Sequence, residues 1–207
     1  MTRGDRRMRW PVTSHEVLAR GAIADFVEDV VATPSGGEMR RQYVTHPGAV
    51  AIVPWDEETD RIAVVRQYRH PVGMELVEIP AGLLDIGGEA YRAAAERELA
   101  EEVELRADRW DVLVDIATTP GACEETLRIF LARGLSPAPR PEGFEPEGEE
   151  AEMTWEFVAR ADLVELVFSG GCQNPSLVAG LMALEAARLS GRIDALRPDD
   201  APWPIRQ

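Results

Sequence analysis

The chain has 207 residues, of which 45% are hydrophobic and 29% are charged. This length and composition are typical of one globular domain with room for a small extension, and its core needs no disulfide or metal. The 37 acidic and 22 basic side chains give a formal charge of −15. Such a surface repels nucleic-acid backbones and anionic membranes, so we expect neither as a partner.

The first half of the chain is predicted to be mostly β-structure, because short apolar runs alternate with turn-forming residues. Residues 1 to about 12 are polar and are expected to fray, and strands are expected from Glu16 onward. Pro80 is expected to halt strand pairing after the fifth strand. The predicted strands are 26–31 and 40–45, joined as a hairpin by the turn 33–37, followed by 48–53, 62–68 and 75–80.

The second half mixes helices and strands. A helix is predicted over 89–103 with Ala93, Leu99 and Val103 facing inward, and a final helix runs from Asn174-Pro175 to Gly191. The four prolines and the acidic run within 135–151 predict a mobile loop. Together these elements indicate an α+β fold with a mixed sheet. The remaining predicted strands are 110–116, 126–132 and 153–158.

The two cysteines, Cys123 and Cys172, lie far apart in the sequence. They indicate free thiols in a reducing compartment, and a zinc site is not expected. We find neither a signal peptide nor an apolar run near the roughly 18 residues of a membrane helix, so we expect a cytoplasmic protein.

Acidic side chains recur at helical spacing within residues 89–102. Glu98 lies three residues before Glu101 and four before Glu102, so these carboxylates share one helix face. Glu89 is predicted in the first turn, and Arg97 can grip a carboxylate with two hydrogen bonds. A solvated charged face is the ordinary explanation of such a helix. The excess of acids and the glycine-containing segment 81–88 before the helix instead favour a hard divalent cation.

These residues resemble the Nudix hydrolase motif. Glu89, seven intervening residues, the run 97–103 and Leu105 match it. Two positions differ. Gly82 precedes Glu89 by six intervening residues instead of five, and Glu104 stands where the motif has its second glycine. The flanking segments 67–69, 78–82 and 120–121 are similar to the ADP-ribose pyrophosphatase branch of that family.

The resemblance implies an α/β/α sandwich with a mixed sheet, plus an N-terminal antiparallel β extension. Residues 1–48 would form this extension and serve dimerisation and contacts to the substrate base. Residues 49–192 would be the Nudix catalytic domain, and 193–207 a C-terminal tail. A homodimer is therefore expected by analogy.

The resemblance also implies a reaction, the Mg²⁺-dependent hydrolysis of ADP-ribose to AMP and ribose 5-phosphate, with Mn²⁺ as an alternative cation. The alternatives are hydrolysis of other nucleoside diphosphate sugars and a nucleotide-sensing Nudix module without activity. The intact acidic residues argue against the sensor. The implied metal ligands are the Ala81 carbonyl, Glu98, Glu101 and Glu102. The implied catalytic residues are Glu150 as the base, with Glu149 as second choice, and Arg97. The implied substrate contacts are Arg69, Glu78 and Glu125, and the supporting residues are Glu89 and Gly82.

Overall fold

The structure is a computed structural model that describes residues 4–145 and 148–206, apart from the side chains of Glu149 and Glu150. Its described residues divide into two compact units. The functional division predicted at residues 48 and 192 stays a prediction. The first unit contains the described parts of Met1–Gly48, Ala117–Thr126 and Pro202–Gln207, and the second those of Ala49–Ile116 and Leu127–Ala201.

A three-stranded antiparallel sheet dominates the first unit. Its strands, in spatial order, are β1 (Val12–Arg20), β2 (Asp25–Ala32) and β3 (Glu38–Val44). β2 and β3 form the predicted hairpin, and Gly36 supplies a positive φ of 87° in the turn between them. This sheet is the N-terminal antiparallel extension that the family resemblance implied. The first strand begins at Val12, earlier than expected, because residues 12–20 pair along β2.

The remaining elements are eight strands and three helices of the described residues. The strands are β4 (Ala49–Asp56), β5 (Arg61–Arg69), β6 (Met74–Glu78), β7 (Ala81–Leu83), β8 (Leu105–Ala117), β9 (Thr126–Pro137), β10 (Thr154–Ala159) and β11 (Arg197–Pro198). The helices are α1 (Tyr91–Val103), α2 (Arg160–Phe168) and α3 (Pro175–Leu189). None of the helices described is long and apolar enough to cross a membrane.

These strands form one mixed sheet, as predicted. Its order is β10-β5-β4-β9-β8-β11, while β6 pairs with β5 and β7 pairs with β4. β4 and β9 run parallel, with Ala49 opposite Leu127, whereas β4 pairs antiparallel with both β5 and β7. β4 therefore lies at the centre of the sheet, in contact with three other strands.

Alternating side chains of β4 divide the core into two layers. Ala51 and Val53 pack in the cluster that contains the buried leucines of α3, whereas Val50 and Ile52 pack with the buried face of α1. Burying each large aliphatic side chain contributes about 1.5–3 kcal/mol. Helices thus cover both faces of the sheet, which confirms the predicted α/β/α sandwich. The helix residues concerned are Leu177, Leu181 and Leu184 on α3, and Ala94, Ala95, Leu99 and Val103 on α1.

Gly180 allows α3 to lie close to the sheet. A β-carbon at this position would come within 2.8 Å of Val53 Cγ2 and 3.2 Å of Ile129 Cγ2. Both are side chains of the buried core, so they have little room to move. The close packing of α3 on the sheet therefore explains why a glycine stands inside this helix.

The sequence did not predict α2. This nine-residue helix follows directly on β10, and Ala159 at its N-cap makes no side-chain capping bond. It buries only Leu163 completely, so its apolar periodicity is weak. The start of α2 also carries no capping residue of the usual kind, so neither periodicity nor capping predicts this helix.

Pro80 was predicted to halt strand pairing, and β6 does end at Glu78. The interruption is short, because a proline lacks a donor but keeps its acceptor, and the Pro80 carbonyl accepts from Ile52 N at 2.8 Å. The chain continues into β7, where Gly82 lies opposite Val50. The prediction that Ala93 faces inward on α1 was wrong, because Ala93 is exposed, whereas its neighbours Ala94 and Ala95 are fully buried.

Glu104 ends α1 in the left-handed conformation, with φ 54° and ψ 39°, and its N–H donates to the Leu99 carbonyl. Glycine usually takes this place, because a β-carbon there costs about 1–2 kcal/mol. The helix therefore ends as the motif's second glycine would end it, but with strain at Glu104.

We expect Glu104→Gly to be more stable than Glu104→Ala by about 1 kcal/mol, because glycine adopts this backbone conformation without strain. Both variants remove the carboxylate that lies 3.6 Å from Arg140 Nε, so their difference isolates the backbone. Urea unfolding measures the two free energies. Equal free energies of unfolding would contradict the strain.

Candidate active site

The acidic helix is α1, which packs its apolar face on the sheet. Glu98 and Glu102 lie at the edge of that face and are each only 9% exposed. Carboxylates are rarely buried this far unless they have partners, because desolvation disfavours their charge. The partners of these side chains therefore decide what the site can do.

The guanidinium of Arg97 joins three carboxylates. Its Nη1 donates to Glu98 Oε1 at 2.5 Å and to Glu101 Oε2 at 3.2 Å. Its Nε and Nη2 donate to the two oxygens of Glu89 at 3.3 and 3.2 Å. Burial opposes the positive charge, but Glu89 and Glu98 more than offset it, so the pKa of Arg97 is raised above its usual range. Arg97 is a permanent cation that relieves the repulsion among these acids.

Glu89 was predicted in the first turn of α1, but it lies before the helix. The helix begins at Tyr91, and the Glu89 N–H donates to the Ile86 carbonyl at 3.2 Å in the turn before it. Side chains on a helix lean toward its N-terminus, which lets Arg97 reach back to Glu89. Arg97 therefore holds Glu89, which lies outside the helix, with two hydrogen bonds.

β7 brings main-chain atoms against the carboxylates. The Ala81 N–H donates to Glu102 Oε2 at 3.1 Å. A β-carbon on Gly82 would lie only 2.0 Å from the Glu98 carboxyl carbon. Glycine at this position gives the Glu98 carboxylate the space that it occupies.

The donor set fits a hard divalent cation, since such ions prefer carboxylate and carbonyl oxygens. The absence of a side chain at Gly82 lets the Glu98 carboxylate lie directly against the β7 main chain, which brings carboxylate and main-chain oxygens together. Among the residues that the structure describes, no three acidic, histidine or cysteine side chains already converge as a metal site. The cation between Glu98 and Glu101 in this arrangement is the Arg97 guanidinium.

Comparison with known proteins identifies the family of this site. A sequence profile of the NUDIX domain matches residues 45–170. The chain belongs to the Nudix family. The ADP-ribose pyrophosphatase of Mycobacterium tuberculosis is 43% identical over 190 residues, which cover 92% of this chain and 89% of that protein.

Two further comparisons extend this relationship. The methanol dehydrogenase activator of Bacillus methanolicus is 35% identical over 158 residues, covering 76% of this chain and 78% of that protein. A crystal structure of an ADP compounds hydrolase superposes with a TM-score of 0.73 at 23% identity, over 92% of this chain and 100% of that one, so it shares the fold. The chain is a Nudix hydrolase similar to ADP-ribose pyrophosphatases.

Arg69 and Glu78, predicted as separate substrate contacts, bind each other in this Nudix hydrolase. Arg69 Nε and Nη2 donate to the two Glu78 oxygens at 2.8 and 2.7 Å. Glu78 is 2% exposed, whereas the Arg69 side chain is 42% exposed. The buried carboxylate therefore orients the arginine.

The third predicted substrate contact, Glu125, lies in the first unit. Its Oε2 accepts from the Thr118 hydroxyl at 2.5 Å, and its Oε1 lies 3.7 Å from His46 Nε2. The predicted base lies in the second unit. The backbone of Glu149 and Glu150 belongs to the 3-10 turn Gly148–Glu152, next to β5, and their side chains lie outside the described residues.

Sequence reasoning missed Arg128, which supports the start of the Nudix helix. It is fully buried, donates to both Asp115 oxygens at 2.8 and 3.1 Å, and donates to the Ala201 carbonyl at 2.7 Å. Its guanidinium carbon lies 5.7 Å from the ring centre of Tyr91, the first residue of α1. The sequence signal that could have indicated this contact is the presence of the opposite charges Asp115 and Arg128 on two neighbouring predicted strands.

We expect Gly82→Ala to fold but to lose hydrolytic activity by about 100-fold, since small displacements of catalytic groups can cost this much. The added methyl group displaces the Glu98 carboxylate, which can move because it ends a flexible side chain. Gly87→Ala is the matched control, because no atom lies within 4 Å of its added β-carbon. Initial rates on ADP-ribose and thermal midpoints measure both variants, and equal rates would contradict the role of Gly82.

Proposed function

We propose that the protein hydrolyses the pyrophosphate bond of ADP-ribose to AMP and ribose 5-phosphate with Mg²⁺. The observation that carries this proposal is the pair of buried carboxylates, Glu98 and Glu102, on the Nudix helix beside β7. The choice of substrate is supported by the 43% identical relative named ADP-ribose pyrophosphatase.

The residues that would hold the cation are the Ala81 carbonyl, Glu98 and Glu102, with Glu101 close by. When bound, Mg²⁺ or Mn²⁺ would neutralise the diphosphate and polarise the phosphoryl group toward attack by water. The protein's part is to hold the carboxylates in register. The Ala81 N–H fixes one Glu102 oxygen, and Arg97 orients Glu98 and Glu101.

The remaining roles concern the substrate and the water. Arg69, held by buried Glu78, would bind a phosphate oxygen, so that Glu78 acts through Arg69. Glu125 would contact a sugar hydroxyl. Glu150, with Glu149 as the second choice, would remove the proton from the attacking water. Glu89 supports the site by fixing Arg97 from the turn before the helix.

We also propose a cytoplasmic homodimer that uses the N-terminal sheet as its interface. Several apolar side chains of the first unit are exposed, including Trp10, Val12, Leu18 and Phe26. Exposed apolar residues on a sheet favour association with a protein surface over a nucleic acid or an anionic membrane, and the charge of −15 acts in the same direction.

The decisive experiment is a substrate panel. The full-length protein is incubated with Mg²⁺ and ADP-ribose, other nucleoside diphosphate sugars or dinucleotides, and the products are resolved by chromatography. We expect AMP and ribose 5-phosphate to appear fastest. Preference for a sugar on another base would replace the proposed substrate, and no turnover of any compound would favour a nucleotide-sensing module.

Glu102→Gln should lower the rate by at least about 100-fold, because an amide is a neutral and weaker metal ligand. Mg²⁺ should raise the thermal midpoint of the wild type and leave that of the variant nearly unchanged. Glu96→Gln is the control on the same helix, since Glu96 is 46% exposed and pairs with Arg92. Near-normal rates for Glu102→Gln would refute the metal assignment.

Glu150→Gln should reduce kcat while leaving Mg²⁺ binding intact, because a base acts on the water and not on the cation. The parallel variant Glu149→Gln decides between the two acids. The comparison uses kcat at saturating Mg²⁺ together with the Mg²⁺-induced thermal shift. If neither variant changes kcat, the base lies in another segment.

A further inference from the structure

The last turn of α1 is locally unfavourable. Glu101 and Glu102 lie in this turn and Glu104 follows it, so acidic groups face the negative end of the helix dipole. The structure describes all of α1, and its last turn contains no basic side chain. Glu104 also carries a left-handed backbone. Each of these features favours fraying of the turn that carries two of the proposed ligands.

Arg140 supplies a cation to this turn from outside the helix. Its Nε donates to the main-chain carbonyl of Glu101 at 3.0 Å and lies 3.6 Å from Glu104 Oε1. The last four carbonyls of a helix have no partner within it, so this bond satisfies one of them. A positive charge near these carbonyls also stabilises the helix end.

The chain around Arg140 is fixed to the same end of the helix. The Ala138 N–H donates to the Glu104 carbonyl at 2.8 Å, and Arg106 Nε donates to the Ser136 hydroxyl at 2.9 Å. Arg140 itself is 41% exposed, so it does not contribute a buried side chain to the core. Its removal is therefore expected to leave the fold intact.

We propose that Arg140 is a positioning residue, an external C-cap that holds the last turn of α1 and with it Glu101 and Glu102. Its relevance to the divalent cation rests on the proposed function, whereas its capping role does not. Without Arg140, part of the binding free energy of the cation is used to order the turn, so the cation binds more weakly. The charge of Arg140 also repels the cation, but it is exposed and screened, so ordering dominates.

The capping role is tested on the metal-free, full-length protein by amide hydrogen exchange. We expect Arg140→Ala to speed exchange in the last turn of α1 by about three- to tenfold relative to the wild type. Arg106→Ala is the matched control, because it removes an arginine that bonds to the same segment but not to α1. Unchanged exchange in Arg140→Ala would overturn the proposal.

The positioning role is tested by calorimetric titration with Mg²⁺ alone. We expect the apparent Kd for Mg²⁺ to rise about three- to tenfold in Arg140→Ala, and less in Arg140→Lys, which keeps the charge. At saturating Mg²⁺, kcat should stay within about twofold of the wild type, since the bound cation orders the turn. An unchanged or lower Kd would overturn the positioning role.

The two measurements separate this inference from the proposed function. If the wild type binds no Mg²⁺, the proposed function fails, and hydrogen exchange still decides the cap. If the wild type binds Mg²⁺ and Arg140→Ala binds it equally well, only the positioning role of Arg140 fails. Faster exchange together with a higher Kd supports the complete inference.

Discussion

Repulsion among the carboxylates of α1 is the constraint on which this structure depends. Glu89, Glu98 and Glu101 share one guanidinium, that of Arg97, so their three negative charges outnumber its single positive charge. Such a cluster stays in place only if the helix is anchored by other means, because each like-charge pair disfavours it. The anchor is the apolar face of α1 on the sheet, and the unbalanced charge is what gives the cluster its attraction for a cation.

The position of the cluster follows from β4. This strand pairs with β7 and contributes Val50 and Ile52 to the core under α1. The helix and the backbone opposite its carboxylates are thus fixed by the same strand. The Ala81 N–H and the space beside Gly82 are therefore set by main-chain pairing, which is stiffer than side-chain contacts. The main-chain side of the Nudix site is therefore positioned by the central strand of the sheet.

The parts that the sequence predicted are those with a local signal. The spacing of Glu98, Glu101 and Glu102 and the hairpin of the N-terminal sheet both follow from periodicity and turn residues. Other features depend on partners that are distant in the chain or on a backbone acceptor. The carbonyl of Pro80 accepts from another strand, and Arg140 reaches a carbonyl 39 residues away. Periodicity and motifs do not encode such contacts, and the weakly amphipathic α2 escaped detection for lack of any pattern.

Glu104 connects the strain at the helix end with the order of the site. Its backbone takes a conformation that glycine would adopt at lower cost, and its carboxylate lies 3.6 Å from the arginine that bonds to Glu101. A glycine would relieve the strain but would remove one partner of Arg140. Local rules are often broken where a site requires it, and here the broken rule supplies an acidic partner for the external cap. The global stability of the protein and the order of its carboxylates therefore respond differently to this one residue.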